Sequence, residues 1–483
     1  MISIATRLGK VRGLDDGIVK SFLGLRYGKP PIAPRRFLPP VMASGWRGTF
    51  DATQFPNRAM QDDTSRLMQR TVAGDVSEDC LFLNVVTPAT SGKRRPVLVW
   101  IHGGGFINGS ANEYDGSVLS EQGDVVVVTV NFRLGAFGFL DVSGLGSDYR
   151  NSISNGVMDL ILALEWVREN IEDYGGDPGN VTIFGESSGG TLVLSLLGAP
   201  AADDLYHKVI AHSATCAYRL PTDRSENIAK RMGVDRSHYL DKLLSMSAAD
   251  ILDLGLGFGI TVDGNVITRS SFDAIEDRGN NGVPLITGTN RGEGTLYTQG
   301  DDAEQDHYPN FNKGLATEML LGGDPTNYLA ALRETYPDAT PGKFHEMIWT
   351  DMFRRICSRA AEASTLAGAG AWLYRFDLPA NLPGFDHLGA THSSEMAFTF
   401  NTFANPDTHA CITYHDRDDP VVRKVANAWS DTVIRFAKTG QPNGGDLPDW
   451  PIYESATRNC LIIDEDIRVE ADPDTPHRKL WNQ

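Results

Sequence analysis

The chain has 483 residues, 41% of them hydrophobic, enough to bury a large core. Asp and Glu outnumber Lys and Arg by 62 to 44, a formal net charge of −18; an acidic surface repels phosphate backbones and anionic lipid, so neither nucleic acid nor a membrane is an expected partner. No apolar run approaches the ~20 residues of a membrane-spanning helix, and the N-terminal MISIATRLGKVRGL lacks the cationic start and apolar middle of an export signal.

Residues 97–101 (VLVWI) form a continuous apolar run closed by His102 and three glycines, and residues 125–130 (VVVVTV) form another closed by Asn131. Unbroken β-branched runs of this length suit strands buried on both faces of a parallel sheet. Val157, Leu160, Ile161, Leu164, Val167 and Ile171 then recur at helical spacing along one face, and Gly175, Gly176 and Pro178 end that helix. A short strand over 181–184 leads into Gly185-Glu186-Ser187-Ser188-Gly189-Gly190 and the apolar stretch 192–197. The segments at about 216–282 and 300–370 are more helical and more polar, and read as excursions covering one end of the sheet. A last helix is predicted over 421–438, stopped by Gly440 and Pro442. No repeat, charge block or Pro/Ser-rich linker divides the chain, so one domain over 1–483 is expected.

Gly185-x-Ser187-x-Gly189, between a strand and a helix, has the form of a nucleophile elbow. The chain must reverse sharply with the serine at the apex; small residues on either side leave room, and the hydroxyl is pushed into the open. The helix that follows aims its N-terminal N–H groups at a developing oxyanion. His102-Gly103-Gly104-Gly105-Phe106 follows the VLVWI strand, and its glycines let backbone N–H groups approach a bound carbonyl. In α/β-hydrolases such a loop completes the oxyanion hole with the N–H after the nucleophile, here Ser188. No phosphate-loop pattern is present. The fold class expected is therefore α/β, with a central, mostly parallel sheet flanked by helices. Such a serine needs a histidine base held by an acid, in the chain order Ser, Asp/Glu, His. All the histidines except His102 follow Ser187, and periodicity does not choose among them.

From residue 9 onward the chain resembles the type-B carboxylesterase family, which includes bacterial para-nitrobenzyl esterases, animal carboxylesterases and cholinesterases. The landmarks stand in order: GKVRG at 9–13, FLGLRY at 22–27, SEDCLFLNV at 77–85, HGGGF at 102–106, NFRLG at 131–135, LEWV at 164–167 and FGESSGG at 184–190. The resemblance implies a Ser-Glu-His triad. The family's acid loop, G-x-N-x-D-E-G, reads Gly288-Thr289-Asn290-Arg291-Gly292-Glu293-Gly294, which makes Glu293 the acid and puts Gly292 where an aspartate is usual. The histidine motif, G-x-x-H-x-x-E-x-x-F, reads Gly389-Ala390-Thr391-His392-Ser393-Ser394-Glu395-Met396-Ala397-Phe398, which makes His392 the base, with His387 the nearest rival. Gly104, Gly105 and Ser188 would hold the oxyanion, Glu186 and Glu395 would lie near each other behind the triad, and Phe106 and Phe398 are candidates to line the substrate pocket. Two ion pairs are also implied, Arg36–Glu78 and Arg133–Asp159.

The departures bear on compartment and substrate. Five cysteines, Cys80, Cys216, Cys357, Cys411 and Cys460, are odd in number and form no C-x-x-C pattern. Cys80 has no cysteine upstream, and none lies between Cys216 and Cys357, so the two disulfides usual in secreted relatives are missing. Reduced thiols and a cytoplasmic enzyme are expected. No aromatic stands around 67–71, where cholinesterases place a tryptophan platform, so a cation–π choline site is not expected. The expected activity is hydrolysis of small acyl or aryl carboxylic esters by a monomer or homodimer without metal or cofactor. An amidase or longer-chain lipase on the same triad, or a non-catalytic binding protein, are the alternatives.

Overall fold

A computed structural model describes residues 1–62, 72–90, 94–256, 258–278, 282–299, 308–405 and 413–481. Cys411 and the segment 67–71 lie outside the described residues. Two compact units are formed, one by Met1–His207 with Ala217–Ser271 and one by Lys208–Cys216 with Phe272–Gln483.

In the first unit the strands are β1 (Ile2–Thr6), β2 (Gly9–Asp15), β3 (Val19–Arg26), β4 (Thr49–Asp51), β5 (Phe82–Pro88), β6 (Arg95–Ile101), β7 (Val126–Val130) and β8 (Gly176–Glu186). They run in the order β1-β2-β3-β5-β7-β6-β8, with β4 beside β2. β6 is parallel to both β7 and β8, whereas β7 is antiparallel to β5, so the valine run at 126–130 lies between one parallel and one antiparallel neighbour. All five of its residues are buried, as an unbroken apolar strand requires.

The predicted helix spans Asn155–Asn170. Ile171 falls in the 3-10 turn Ile171–Tyr174 that follows, and Gly175 closes it in the left-handed region. β8 is longer than the predicted 181–184. Arg95 pairs with Gly176 and Val97 with Val181, so residues 177–180 bulge off the ladder. Pro178 is tolerated there because a bulged residue donates no ladder hydrogen bond.

Both expected ion pairs are present in this unit. Arg133 donates from Nε (2.8 Å) and Nη2 (2.7 Å) to the two oxygens of Asp159, and from Nη1 to the Leu38 carbonyl (2.8 Å). Arg36 donates from Nε (2.6 Å) and Nη2 (2.5 Å) to Glu78, and from Nη1 to the Met246 carbonyl (2.8 Å). Removing one partner of such a buried pair leaves an uncompensated charge, typically about 3–5 kcal/mol of stability. The excursion contributes the helices Ser225–Met232, Tyr239–Ser245 and Ala248–Leu252, whose Ile228, Leu243 and Ile251 join Phe37, Phe137 and Val142 in one apolar cluster.

In the second unit the strands are β9 (Lys208–His212), β10 (Leu285–Asn290), β11 (Ala371–Phe376), β12 (Asn459–Ile463) and β13 (Arg468–Ala471), paired in that order. All pairings are parallel except β12 with β13. The second excursion carries the helices Tyr308–Met319, Thr326–Thr335 and Pro341–Leu366. The predicted late helix spans Pro420–Thr439; Asp419 caps it by accepting from Val421 N–H, and Gly440 ends it in the left-handed region. It is not the last helix: Thr475–Leu480 follows, too short for hydrophobic periodicity to reveal. Cys80, Cys216, Cys357 and Cys460 are buried free thiols. No described helix is long and apolar enough to cross a membrane.

Candidate active site

In the first unit β8 ends at Glu186 and the helix Ser188–Leu196 begins two residues later. Ser187 makes the reversal between them at φ 57° and ψ −124°, a strained backbone for a residue with a Cβ. An ordinary turn would place glycine there, so a half-buried serine held at this φ is a candidate functional residue. Gly189 is required by space: a Cβ on it would lie 2.1 Å from the Ile101 carbonyl oxygen, where β6 ends. Strand end and elbow are thus packed backbone against backbone.

The glycine loop leaves β6 at His102. This imidazole is fully buried, stacks on Phe132 at 4.6 Å, and bonds through Nδ1 to the Gly103 carbonyl at 2.9 Å. Burial pushes its pKa down to about 4, so it is neutral, with the Nδ1 proton on the carbonyl. At residue 103 a Cβ would approach the Glu186 backbone oxygen at 2.8 Å and Ser187 Cβ at 3.2 Å, so the loop runs directly past the elbow. Gly104 has φ +111°, and a Cβ there would meet the Asn108 carbonyl at 2.2 Å. Gly105 is exposed, Ser188 and Glu186 are buried, and Phe106 is half-buried with its ring edge-on to Phe139 at 5.4 Å. The first unit therefore brings the glycine loop alongside the serine and the turn that carries it.

In the second unit β10 ends at Asn290 and turns into the loop bearing Glu293, which is fully buried. Glu293 Oε2 lies 2.5 Å from His392 Nδ1. Its other oxygen, Oε1, accepts from Ser213 Oγ (2.6 Å) and Asn290 N–H (2.6 Å). Phe353 stacks on the His392 ring at 4.9 Å and Tyr297 lies 5.7 Å away. A buried carboxylate with every oxygen occupied by a donor holds one imidazole in one orientation. The acid–imidazole pair forms on His392; His387 is exposed in the turn Asp386–Leu388.

Glu395 is also fully buried. Asn290 Nδ2 donates to it at 2.6 Å and reaches Glu293 Oε1 at 3.4 Å, so one amide bridges the two carboxyl groups. The Tyr374 hydroxyl donates to Glu395 at 3.3 Å and accepts from His212 Nδ1 at 2.7 Å. Phe398 has no exposed surface; Phe376, Phe403 and His415 surround its ring at 4.8–4.9 Å. Ser213, Asn290, Tyr374 and His212 are supporting residues that sequence reading missed. Asn290 stands inside the acid motif, which could have signalled it; the other three are remote in sequence and carry no local signal.

Burial holds three histidines neutral: His102, His212 and His415, with pKa values pushed down to about 4, 3 and 4. In an unfolded chain each would titrate near 6.5. Between those limits the unfolded state binds more protons, so stability is complete above about pH 6.5 and is lost as pH falls toward 4, by roughly 1 kcal/mol per pH unit for each histidine. Urea unfolding at pH 7 and pH 5 should show the loss. His212→Gln, which keeps a donor for Tyr374 without a titrating group, should reduce the pH dependence. An unchanged slope in that variant would remove His212 from the account.

The Carboxylesterase family model matches residues 2–481. The para-nitrobenzyl esterase of Bacillus subtilis (strain 168) is 35% identical, over 99% of this chain and 97% of its own length. The human cocaine esterase is 32% identical, over 92% of this chain and 83% of its own length. Among solved structures, a PNB esterase superposes with a TM-score of 0.86 at 32% identity, covering 99% of both chains. A carboxylesterase of Geobacillus stearothermophilus gives 0.84 at 33% identity over the full length of both. The architecture is that of an α/β-hydrolase.

Proposed function

The chain belongs to the carboxylesterase family and is a carboxylic-ester hydrolase, and from that premise we propose that it cleaves small acyl or aryl esters with Ser187 as nucleophile, His392 as general base and Glu293 as the acid that orients it. The observation that carries this reading is the 2.5 Å pair between Glu293 and His392, which joins the acid loop to the histidine motif. The strained backbone of Ser187 and the glycine loop passing it support the role of the serine.

In this scheme His392 Nε2 takes the Ser187 proton as Oγ attacks the ester carbonyl carbon. The carbonyl oxygen becomes an oxyanion held by the N–H groups of Gly104, Gly105 and Ser188. Collapse breaks the bond to the leaving oxygen, which takes the proton from the imidazolium and departs as the alcohol. Water then attacks the acyl-Ser187 ester, giving its proton to His392. The second collapse releases the carboxylic acid and returns that proton to Ser187. Glu293 stays ionised throughout and stabilises the imidazolium in both halves. Each proton and charge has a protein partner, so the scheme calls on no metal or cofactor.

The likeness to a para-nitrobenzyl esterase supports an aryl group in the substrate, and the rings of Phe353 and Tyr297 beside His392 are compatible with one. Nitrophenyl esters from acetate to palmitate, together with a matching anilide, test the substrate class. The expected order is highest kcat/KM for the short acyl chains, lower for palmitate, and slower cleavage of the anilide. A preference for palmitate would make the protein a lipase, and a preference for the anilide an amidase.

A further inference from the structure

We propose that Arg354 is a positioning residue for the acid Glu293, acting as a clamp on the backbone from which that carboxylate hangs; the inference rests on the triad reading above. Arg354 lies on the helix Pro341–Leu366, and its side chain is only 8% exposed. Its Nη2 donates to two successive carbonyls, Asn290 O at 3.0 Å and Arg291 O at 2.8 Å, where β10 ends and the acid loop begins. Its Nη1 pairs with Asp474 at 3.1 Å. Asp474 also takes Arg375 Nη1 at 2.7 Å, and Arg375 is held in turn by both oxygens of Asp377 at 2.7 Å.

The loop backbone explains the need for such a clamp. Asn290 N–H points at Glu293 Oε1 (2.6 Å), Arg291 N–H at the Phe376 carbonyl (2.9 Å) and Gly292 N–H at the Ala390 carbonyl (2.9 Å). The donors of this turn are thus committed to the carboxylate and to the segments beside it. β10 stops at Asn290, so no further β10 ladder takes the carbonyls that follow. One guanidinium nitrogen, Nη2, serves both carbonyls while a second, Nη1, held in the same plane, faces the carboxylate; an ammonium would have to make all three contacts from one nitrogen. The charge is neutralised by Asp474, so a buried cation here is not left uncompensated. Without the clamp each of these two peptides is held by its N–H bond alone, to Phe376 or Ala390, and can tilt about it. Asn290 N–H would then leave Glu293 Oε1, and the carboxylate would lose the alignment that fixes His392. Since Arg354 touches the acid loop and Asp474, the effect should fall on turnover and spare KM.

The test uses the full chain with Arg354→Met, Arg354→Lys and Asp474→Asn, alongside His392→Ala. Arg354→Met should lower kcat on a short-chain nitrophenyl ester by about 10- to 100-fold, as expected for a catalytic group displaced by about an ångström, with KM unchanged. The downfield proton resonance of the Glu293–His392 hydrogen bond, assigned by its loss in His392→Ala, should shift upfield or broaden. Arg354→Lys should recover part of kcat. If Arg354→Met does not fold, Asp474→Asn should move kcat and the resonance in the same direction by a smaller amount. A folded Arg354→Met, or in its absence Asp474→Asn, with wild-type kcat and an unmoved resonance would overturn the clamp. So would a loss of kcat with the resonance intact, which would mark a merely structural role. Full activity in His392→Ala would instead overturn the triad reading.

Discussion

Replacing Ser187 by alanine is expected to lower kcat for a short-chain nitrophenyl ester by about 10⁶-fold, leaving the residual rate that oxyanion stabilisation and binding supply alone. The substitution is clean for a structural reason. Ser187 sits at φ 57°, where any residue with a Cβ is strained, and alanine keeps the Cβ. The elbow should therefore hold its shape, and the melting temperature should stay where it is. Covalent labelling gives a second readout. An organophosphate should modify the wild-type enzyme at Ser187, located by peptide mapping, and abolish activity; Ser187→Ala should take up no label. Recovery of the label on another residue, or activity within about tenfold of wild type, a barrier change of only ~1.4 kcal/mol, would reassign the nucleophile.

Glu293→Gln should cost about 10³–10⁴ in kcat, by analogy with the aspartate of serine proteases. The hydrogen bonds decide how the amide must sit. Two donors, Ser213 Oγ at 2.6 Å and Asn290 N–H at 2.6 Å, point at Oε1. The glutamine carbonyl oxygen will take that place, because an NH₂ there would face two donors. The NH₂ is then left facing His392 Nδ1, which in the native enzyme donates across 2.5 Å. To avoid donor against donor the imidazole must move its proton to Nε2. That tautomer cannot accept the serine proton. The variant also lacks the negative charge that stabilises the imidazolium. Folding should be little affected, as the volume is unchanged. Steady-state kinetics, with circular dichroism as the control, decides the matter. A kcat within about tenfold of wild type would show that Glu293 is not the orienting acid.

Much of this site was legible in the sequence because it is built from contiguous motifs. The runs at 97–101 and 125–130 suited buried strands; the first lies in β6 and the second forms β7 from Val126 onward. Gly185, Ser187 and Gly189 mark a tight turn, and the structure leaves no room for a Cβ at either glycine. Choosing His392 over His387, and Glu293 over the other carboxylates, came from resemblance to a family pattern; spacing and periodicity alone left them open. β8 starts at Gly176 and not at 181 because Gly176 and Pro178, expected only to end the preceding helix, already belong to the strand, with Pro178 off the ladder in the bulge at 177–180. The helix Thr475–Leu480 was missed because six residues carry too little periodicity.

What the sequence determined by itself is the chemistry on offer: a serine at a strained turn, glycines that open a loop to an oxyanion, and a histidine and a glutamate in recognisable settings. The serine turn and the glycine loop are local features that sterics and donor geometry dictate; the histidine and the glutamate are picked out only by the resemblance of their motifs to a family pattern. Tertiary structure alone decided what holds the acid in place. Ser213 reaches Glu293 across 80 residues, Arg354 reaches the Asn290 carbonyl across 64, and Asn290 reaches Glu395 across 105. None of these partners has a spacing that could be read along the chain. They are found because a buried carboxylate, carbonyl or guanidinium must meet a partner, and only the packing of strands and helices brings one within reach.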